Sequence, residues 1–201
     1  MKLLLTSLGL STEKIQQTFK ENLPAPADDT VVQFIWSDPV REYHHVVIKQ
    51  ETETMVKLGI PKENINVTRL HENPIQGIGE NDLIYMGGGN QYRYLKRLHE
   101  TGLFNPIRDY VEQDRLYVGI SAGAMIMCPD IDCEWSVEVN DVNLVDISGF
   151  NFVDFYILPH WQGDRYKDPK IIENFEKQGK KLIPITDNQA IFVNNNNYSI
   201  L

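Results

Sequence analysis

Short apolar runs alternate with longer amphipathic segments along most of the chain. The short runs are rich in β-branched and aromatic residues, which is typical of buried strands. The longer segments repeat their apolar residues at helical spacing, and Ser11 is predicted to cap the first of them. The pattern predicts strands at residues 3–8, 31–36, 65–70, 83–86 and 116–120, and helices at residues 12–22, 37–58, 92–103 and 106–113.

The pattern changes after residue 120, where an apolar run of helical character is followed by shorter elements. Four consecutive asparagines at residues 194–197 predict the turn of a closing hairpin. In this part of the chain, strands are predicted at residues 135–139, 150–158, 181–186, 190–193 and 198–201, and a helix at residues 168–177.

Apolar strands separated by helices predict an α/β fold, a three-layer sandwich whose mostly parallel sheet carries helices on both faces. The chain has 201 residues without an internal repeat or a long linker, so residues 1–201 are predicted to form one domain. In such sheets, sites form beyond the carboxyl ends of the strands. Polar residues at strand ends are therefore the first candidates for chemistry.

The composition restricts the class of partner. The net charge of −9 argues against a surface for nucleic acid or an anionic membrane. No apolar run approaches transmembrane length, and the apolar start is too short for a signal peptide, so a cytoplasmic protein is expected. Cys128 and Cys133 make no disulfide framework, and no metal-ligand spacing is present, so neither metal nor cofactor is expected. The oligomeric state is not indicated.

The stretch Gly119-Ile120-Ser121-Ala122-Gly123 has the form of a nucleophile elbow. In such an elbow a strand turns sharply into a helix, and the serine hydroxyl stands at the turn. A plain turn is the alternative for the pentapeptide alone, but the predicted strand before it and the apolar helical run after it favour the elbow. Ser121 is therefore the candidate nucleophile, with amides of the following helix near any oxyanion that develops. Cys128, inside this helix, is interpreted as a small buried hydrophobe rather than a second nucleophile.

A second glycine motif, Gly87-Gly88-Gly89-Asn90, lies between a predicted strand and a predicted helix. A phosphate cradle is one interpretation, but the motif lacks both the Gly-x-Gly-x-x-Gly spacing and the lysine of a P-loop. A second is an oxyanion donor, because a glycine amide can approach a reacting carbonyl closely. A plain tight turn is the third. Asn90 is predicted to cap the next helix.

One of the five histidines falls at a strand end. His160 closes the apolar run that ends in Ile157-Leu158-Pro159, which makes it the candidate general base, with a structural histidine as the alternative. The others are predicted to be solvated: His44 and His45 on the surface of the long helix, His71 in a loop and His99 on an amphipathic helix.

The orienting acid is the least determined member of the set. Asp187 follows the predicted strand at residues 181–186, so three strand ends would deliver serine, histidine and aspartate to one edge of the sheet. Other carboxylates also lie between the candidate serine and histidine, among them Asp130, Asp132, Glu134, Glu138, Asp141 and Asp154.

Taken together, the two glycine motifs and the Pro159-His160 pair resemble the dipeptidase E / cyanophycinase family of serine peptidases. The resemblance covers most of the chain, with the motifs in the family's order. It implies an α/β sandwich related to class I glutamine amidotransferases, with a serine in place of their cysteine. It also implies Ser121 as nucleophile, His160 as base, and an oxyanion hole formed at Gly88, Gly89 and Ala122.

The chain departs from the family in the acid. Family members usually carry a glutamate in the turn occupied here by Asp187, which is one methylene shorter, and dipeptidase E carries an aspartate at about the position of Ser136. Asp187 is the preferred third member, with Glu134 and Glu138 left open.

The resemblance implies a cytoplasmic serine peptidase that hydrolyses short peptides and needs no cofactor. Dipeptidase E prefers an amino-terminal aspartate, which requires a cation. Arg165 is the candidate, with a surface loop arginine as the alternative, and Asn90 is a second candidate for substrate binding. A catalytically degraded binding module and an esterase or amidase remain as alternatives.

Overall fold

The computed structural model of the protein describes residues 1–36, 42–70, 77–79, 82–131, 138–161 and 170–201. Its strands are β1 (Lys2–Thr6), β2 (Val31–Trp36), β3 (Ile65–Arg69), β4 (Asp82–Met86), β5 (Leu116–Ile120), β6 (Tyr156–Leu158), β7 (Leu182–Pro184), β8 (Ala190–Asn194) and β9 (Asn197–Ile200). Its helices are α1 (Glu13–Glu21), α2 (Glu42–Lys57), α3 (Gln91–Glu100), α4 (Phe104–Glu112), α5 (Ala122–Met125) and α6 (Lys170–Lys177), with a single 3₁₀ turn at Lys62–Asn64.

Seven strands form one sheet in the order β3-β2-β4-β5-β1-β8-β9. The first five of these are parallel, while β8 and β9 are antiparallel additions at one edge. Alternate residues of β1 point to opposite faces: Leu3 and Leu5 pack in the cluster that includes α3 and α4, whereas Leu4 packs in the cluster that includes α1 and α2. The predicted three-layer α/β fold is confirmed.

A second, two-stranded parallel sheet pairs β6 with β7. The prediction of a strand over residues 150–158 was wrong for its first part, because only Tyr156–Leu158 pair with another strand. Asn151 has a left-handed φ of 55°, which breaks an extended path. Phe150 is buried instead by stacking on Phe104, with ring centroids 4.3 Å apart. Residues 132–137, which include most of the predicted strand at 135–139, lie outside the described residues, and residues 138 and 139 are not in a strand.

Two further local predictions were wrong. Thr12, not Ser11, caps α1: its extended backbone lets the side chain accept a bond from the Ile15 amide. His44 is buried, only 2% exposed, and its ring lies 4.9 Å from that of Trp36 at the end of β2. His45 is exposed as predicted. Among the residues that the structure describes, no helix has the length and apolar composition needed to cross a bilayer.

A buried carboxylate lies beneath the segment that follows β1. Glu51 of α2 is 6% exposed and accepts hydrogen bonds from the Leu10 amide, at 3.0 Å, and from the Tyr85 hydroxyl. Gly9 makes this approach possible, because a Cβ there would lie 2.4 Å from the Glu51 carboxyl carbon. Burial raises the pKa of Glu51. The carboxyl therefore holds the β1–α1 connection against α2 and binds its proton more tightly in the folded state.

The stability of Glu51→Gln relative to wild type is expected to increase as pH rises. A raised folded-state pKa means that the folded protein binds more protons than the unfolded chain above about pH 4.5, so wild-type stability falls as pH rises through that window. The glutamine keeps an oxygen acceptor for Leu10 and Tyr85 but has no charge. Urea unfolding at several pH values measures the difference, with exposed Glu53→Gln on the same helix as the control. Parallel stability curves for wild type and Glu51→Gln would contradict the expectation.

Candidate active site

Ser121 stands at a strained turn between β5 and α5. Its φ of 49° is in the left-handed region that non-glycine residues rarely adopt. The turn is held from both sides, because the Ser121 amide donates to Thr6 O at 2.9 Å and its carbonyl accepts from Met125 N at 3.0 Å. The helix that follows has only 4 residues, shorter than the sequence indicated. The backbone geometry is that of a nucleophile elbow.

The two elbow glycines permit close backbone packing. A Cβ at Gly119 would lie 2.4 Å from the Gly123 carbonyl oxygen, and one at Gly123 would lie 2.5 Å from the Met86 carbonyl oxygen. Real side chains do not tolerate such distances, so both positions require glycine. The contact with Met86 places the elbow directly against the end of β4, where the second glycine motif begins.

The second glycine motif lies beside the serine. A Cβ at Gly88 would meet the Ser121 Cβ at 3.6 Å, so the Gly88 backbone and the serine side chain are immediate neighbours. On the other side of the serine, Ala122 is the first residue of α5, and its amide has no acceptor within that helix. Gly89, the residue after Gly88, has a φ of 138°. The backbone segments that follow β4 and β5 therefore meet at Ser121.

His160 bridges Ser121 and Asp187. Its Nε2 lies 3.0 Å from Ser121 Oγ, and its Nδ1 lies 2.6 Å from Asp187 Oδ1. The His160 side chain is 37% exposed, whereas that of Asp187 is 22% exposed. A hydroxyl, an imidazole and a carboxylate in this order form a path along which a proton can leave the serine while the imidazole is held by the acid.

The side chain of Asp187 is shorter than the glutamate usual in the family, yet it reaches His160 because the segments that follow β6 and β7 are held together. Ile185 N donates to Leu158 O at 2.9 Å, and Trp161 N donates to Ile185 O at 3.0 Å. These bonds continue the pairing of β6 with β7 up to the histidine. Asp187 then lies in a turn closed by Gln189 N donating to Thr186 O at 2.9 Å. The distance between His160 and Asp187, which the sequence could not predict, is therefore set by the two-stranded parallel sheet of β6 and β7.

Residues 3–201 match the model of peptidase family S51. The chain belongs to peptidase family S51. The resemblance inferred from the glycine motifs and His160 is thereby confirmed. Known relatives of this S51 chain include an uncharacterized peptidase of Pasteurella multocida, 36% identical over 122 residues that make up 59% of this chain and 58% of the relative. Peptidase E of Salmonella newport is 37% identical over 114 residues, 54% of this chain and 45% of the relative. The matched region spans about half the length of these curated relatives.

Solved structures of similar proteins extend the likeness over the whole S51 chain. A protein of Listeria monocytogenes provisionally named as a peptidase E has a TM-score of 0.76 and 25% identity, covering 100% of this chain and 97% of that one. A peptidase from an acI-B1 actinobacterium has a TM-score of 0.62 at 17% identity, covering 100% and 86%, and shows the fold alone.

The other site residues predicted for this S51 chain are Asn90, Glu138, Glu134 and Arg165. Asn90 caps α3, its Oδ1 accepting from Tyr92 N at 2.9 Å, while its Nδ2 donates to Val139 O at 2.9 Å; its contact with substrate stays a prediction. Glu138 lies 3.3 Å from that amide nitrogen. Glu134 and Arg165 lie outside the described residues.

Cys128 is buried, and burial raises the pKa of its thiol to about 12. The thiol is therefore protonated near neutral pH, whereas a thiolate is the nucleophilic form of cysteine. This chemistry agrees with the interpretation of Cys128 as a buried hydrophobe.

Ser7, which follows β1, is a further residue of the site that the sequence pattern did not indicate. Its Oγ donates to Asp187 Oδ1 at 2.7 Å and accepts from the His160 amide at 2.8 Å. The available signal was positional, since Ser7 follows a buried strand just as the other candidates do. A hydroxyl without a neighbouring motif gave no further indication of a role.

Proposed function

We propose that this S51 chain is a serine peptidase that hydrolyses short peptides through an acyl-enzyme. The observation that carries the proposal is the continuous hydrogen-bonded series of Ser121, His160 and Asp187, placed beside the Gly88 backbone. Membership of a peptidase family supports the same reaction class. The proposed setting is the cytoplasm, the proposed partner is a small peptide, and no cofactor takes part.

In the proposed reaction, Ser121 Oγ attacks the peptide carbonyl carbon while His160 Nε2 takes the hydroxyl proton. Asp187 accepts the Nδ1–H and stabilises the imidazolium that forms. The amides of Gly88, Gly89 and Ala122 are proposed to bind the oxyanion, because the Gly88 backbone lies beside Ser121 and Ala122 begins the helix that follows it. His160 then gives its proton to the leaving amine, and the C–N bond breaks. Water, deprotonated by His160, cleaves the ester to release the acid and restore Ser121.

The name peptidase E among the relatives, together with the resemblance above, supports a dipeptide with an amino-terminal aspartate as the proposed substrate. Arg165 is the proposed cation for that carboxylate, because a guanidinium can bind it through two parallel hydrogen bonds. Asn90 is proposed to lie at the same pocket, because it is the last residue of the second glycine motif.

The proposal is tested with a fluorophosphonate probe and a substrate panel. We expect the probe to label Ser121, located by peptide mass spectrometry, and Asp-Leu to be cleaved faster than its neutral isostere Asn-Leu. Folded protein without labelling would indicate the binding module instead. Labelled protein that cleaves p-nitrophenyl acetate but no dipeptide would indicate an esterase. Equal rates on Asp-Leu and Asn-Leu would retain the peptidase and exclude the aspartate preference.

A further inference from the structure

Ser7 differs from an ordinary buried serine in the identity of its partners. Its side chain is fully buried at the carboxyl end of β1, the strand that lies between β5 and β8. A hydroxyl offers one proton and two lone pairs. Here the proton goes to Asp187 Oδ1 at 2.7 Å, and a lone pair accepts the His160 amide proton at 2.8 Å. The same oxygen lies 3.3 Å from His160 Nδ1. One atom therefore contacts the candidate acid and both the backbone and the ring of the candidate base.

Thr6, the preceding residue, shows what a merely structural hydroxyl does at the same strand end. It is equally buried, but its Oγ1 donates to Gly119 O at 3.2 Å and accepts from Gly9 N at 2.9 Å. Both partners are backbone atoms of neighbouring segments. Ser11 is a second comparison, because its Oγ donates to the carbonyl of Asp187 at 2.7 Å and not to the carboxylate.

The backbone of His160 gives the Ser7 contact a second consequence. His160 has a φ of 59°, in the left-handed region that costs energy for a residue with a side chain. Its amide donates to Ser7 Oγ, so this bond helps to hold the conformation that aims the ring between Ser121 and Asp187. Asp187 Oδ1 forms hydrogen bonds with both the Ser7 hydroxyl and His160 Nδ1, and these two bonds fix the direction of the carboxylate.

We propose that Ser7 is a positioning residue of the peptidase, which aligns Asp187 and His160 without touching the substrate. This inference rests on the proposed function. Without the hydroxyl, the carboxylate and the imidazole both gain freedom to turn away from the line to Ser121. Because misalignment acts on the reacting groups and not on substrate binding, the loss is expected in kcat and not in KM.

The test is Ser7→Ala, measured in the wild-type and in the Asp187→Ala background. Loss of alignment is expected to lower kcat by about 10- to 100-fold in the wild-type background, with KM nearly unchanged. If Ser7 acts through Asp187, the fold loss in kcat caused by Ser7→Ala should be at least about fivefold smaller in the Asp187→Ala background than in wild type. Ser7→Cys, which keeps the shape of the side chain but replaces the hydroxyl by a larger and weakly donating thiol, gives a second variant should the alanine fail to fold.

Ser11→Ala is the matched control. It removes a hydroxyl from the same segment that also binds Asp187, but the bond lost is to the Asp187 carbonyl and not to its carboxylate. Its effect on kcat is expected to be small and equal in both backgrounds. An equal loss from Ser7→Ala in both backgrounds would show that Ser7 does not act through Asp187 and would overturn the inference that it aligns both residues.

A readout without turnover separates this inference from the proposed function. The low-field proton NMR resonance of the His160 Nδ1–H reports its bond to Asp187, and we expect it to move in Ser7→Ala but not in Ser11→Ala. An unmoved resonance overturns the positioning role whatever the activity. A moved resonance in a protein that neither reacts with the probe nor cleaves peptides retains the alignment and overturns the peptidase.

Discussion

Ser121→Ala is expected to lower kcat on a dipeptide substrate by about 10⁴- to 10⁶-fold, because no other described group lies in line with His160 Nε2 to form the acyl-enzyme. The fold is expected to survive, since the bonds that hold the elbow turn come from the backbone amide and carbonyl of residue 121 and not from its hydroxyl. Stopped assays for kcat and KM, combined with thermal unfolding, measure both parts of the expectation.

Cys128→Ala provides the control for the identity of the nucleophile. The thiol is buried within the short run after the elbow, and its raised pKa keeps it protonated, so kcat is expected to stay within a few-fold of wild type. A Ser121→Ala variant that keeps wild-type kcat, or a Cys128→Ala variant that loses it, would remove Ser121 from its proposed role.

The strand ends of the parallel sheet were predictable because they are set by local sequence. The predicted strands at residues 31–36 and 116–120 coincide with β2 and β5, and both glycine motifs lie where a strand stops. Apolar runs bounded by glycine identify buried parallel strands, and the architecture then assigns the site to their carboxyl ends. These strand ends predict the place of Ser121, whereas His160 and Asp187 follow β6 and β7 of the separate two-stranded sheet. The prediction that three strand ends of one sheet deliver the serine, the histidine and the aspartate to one edge was therefore wrong, although the three side chains do meet.

The contacts of Asp187 were not predictable, because they depend on pairings between distant segments. Its distance to His160 is set by the pairing of β6 with β7, and the first of these strands has only three residues in a run where nine were predicted. Ser7 and Ser11 bind Asp187 from more than 170 positions away in the chain. Single polar residues carry no periodicity, so only tertiary structure reveals which of them meet.

The assignment of the acid leads to the second large expected effect. Asp187→Asn is expected to lower kcat by about 10³- to 10⁴-fold while the protein stays folded. An amide in place of the carboxylate has no negative charge to stabilise the imidazolium. Where its NH₂ faces His160, the Nδ1 must accept a bond, which leaves the proton on Nε2 and prevents that nitrogen from taking the proton of Ser121. Steady-state kinetics on the same dipeptide measure the loss, and thermal unfolding measures the fold.

The carboxylates that the sequence left open serve as controls for this assignment. Glu138 lies 3.3 Å from the Asn90 side-chain amide, a position from which Glu138→Gln should change kcat only a few-fold. Glu134→Gln tests the other alternative by the same assay. A large loss from either glutamine variant, together with a small loss from Asp187→Asn, would transfer the orienting role away from Asp187. The contact between Ser7 and the carboxylate would then have to be explained as structural, so the part of the positioning role that acts through Asp187 depends on the identity of the acid.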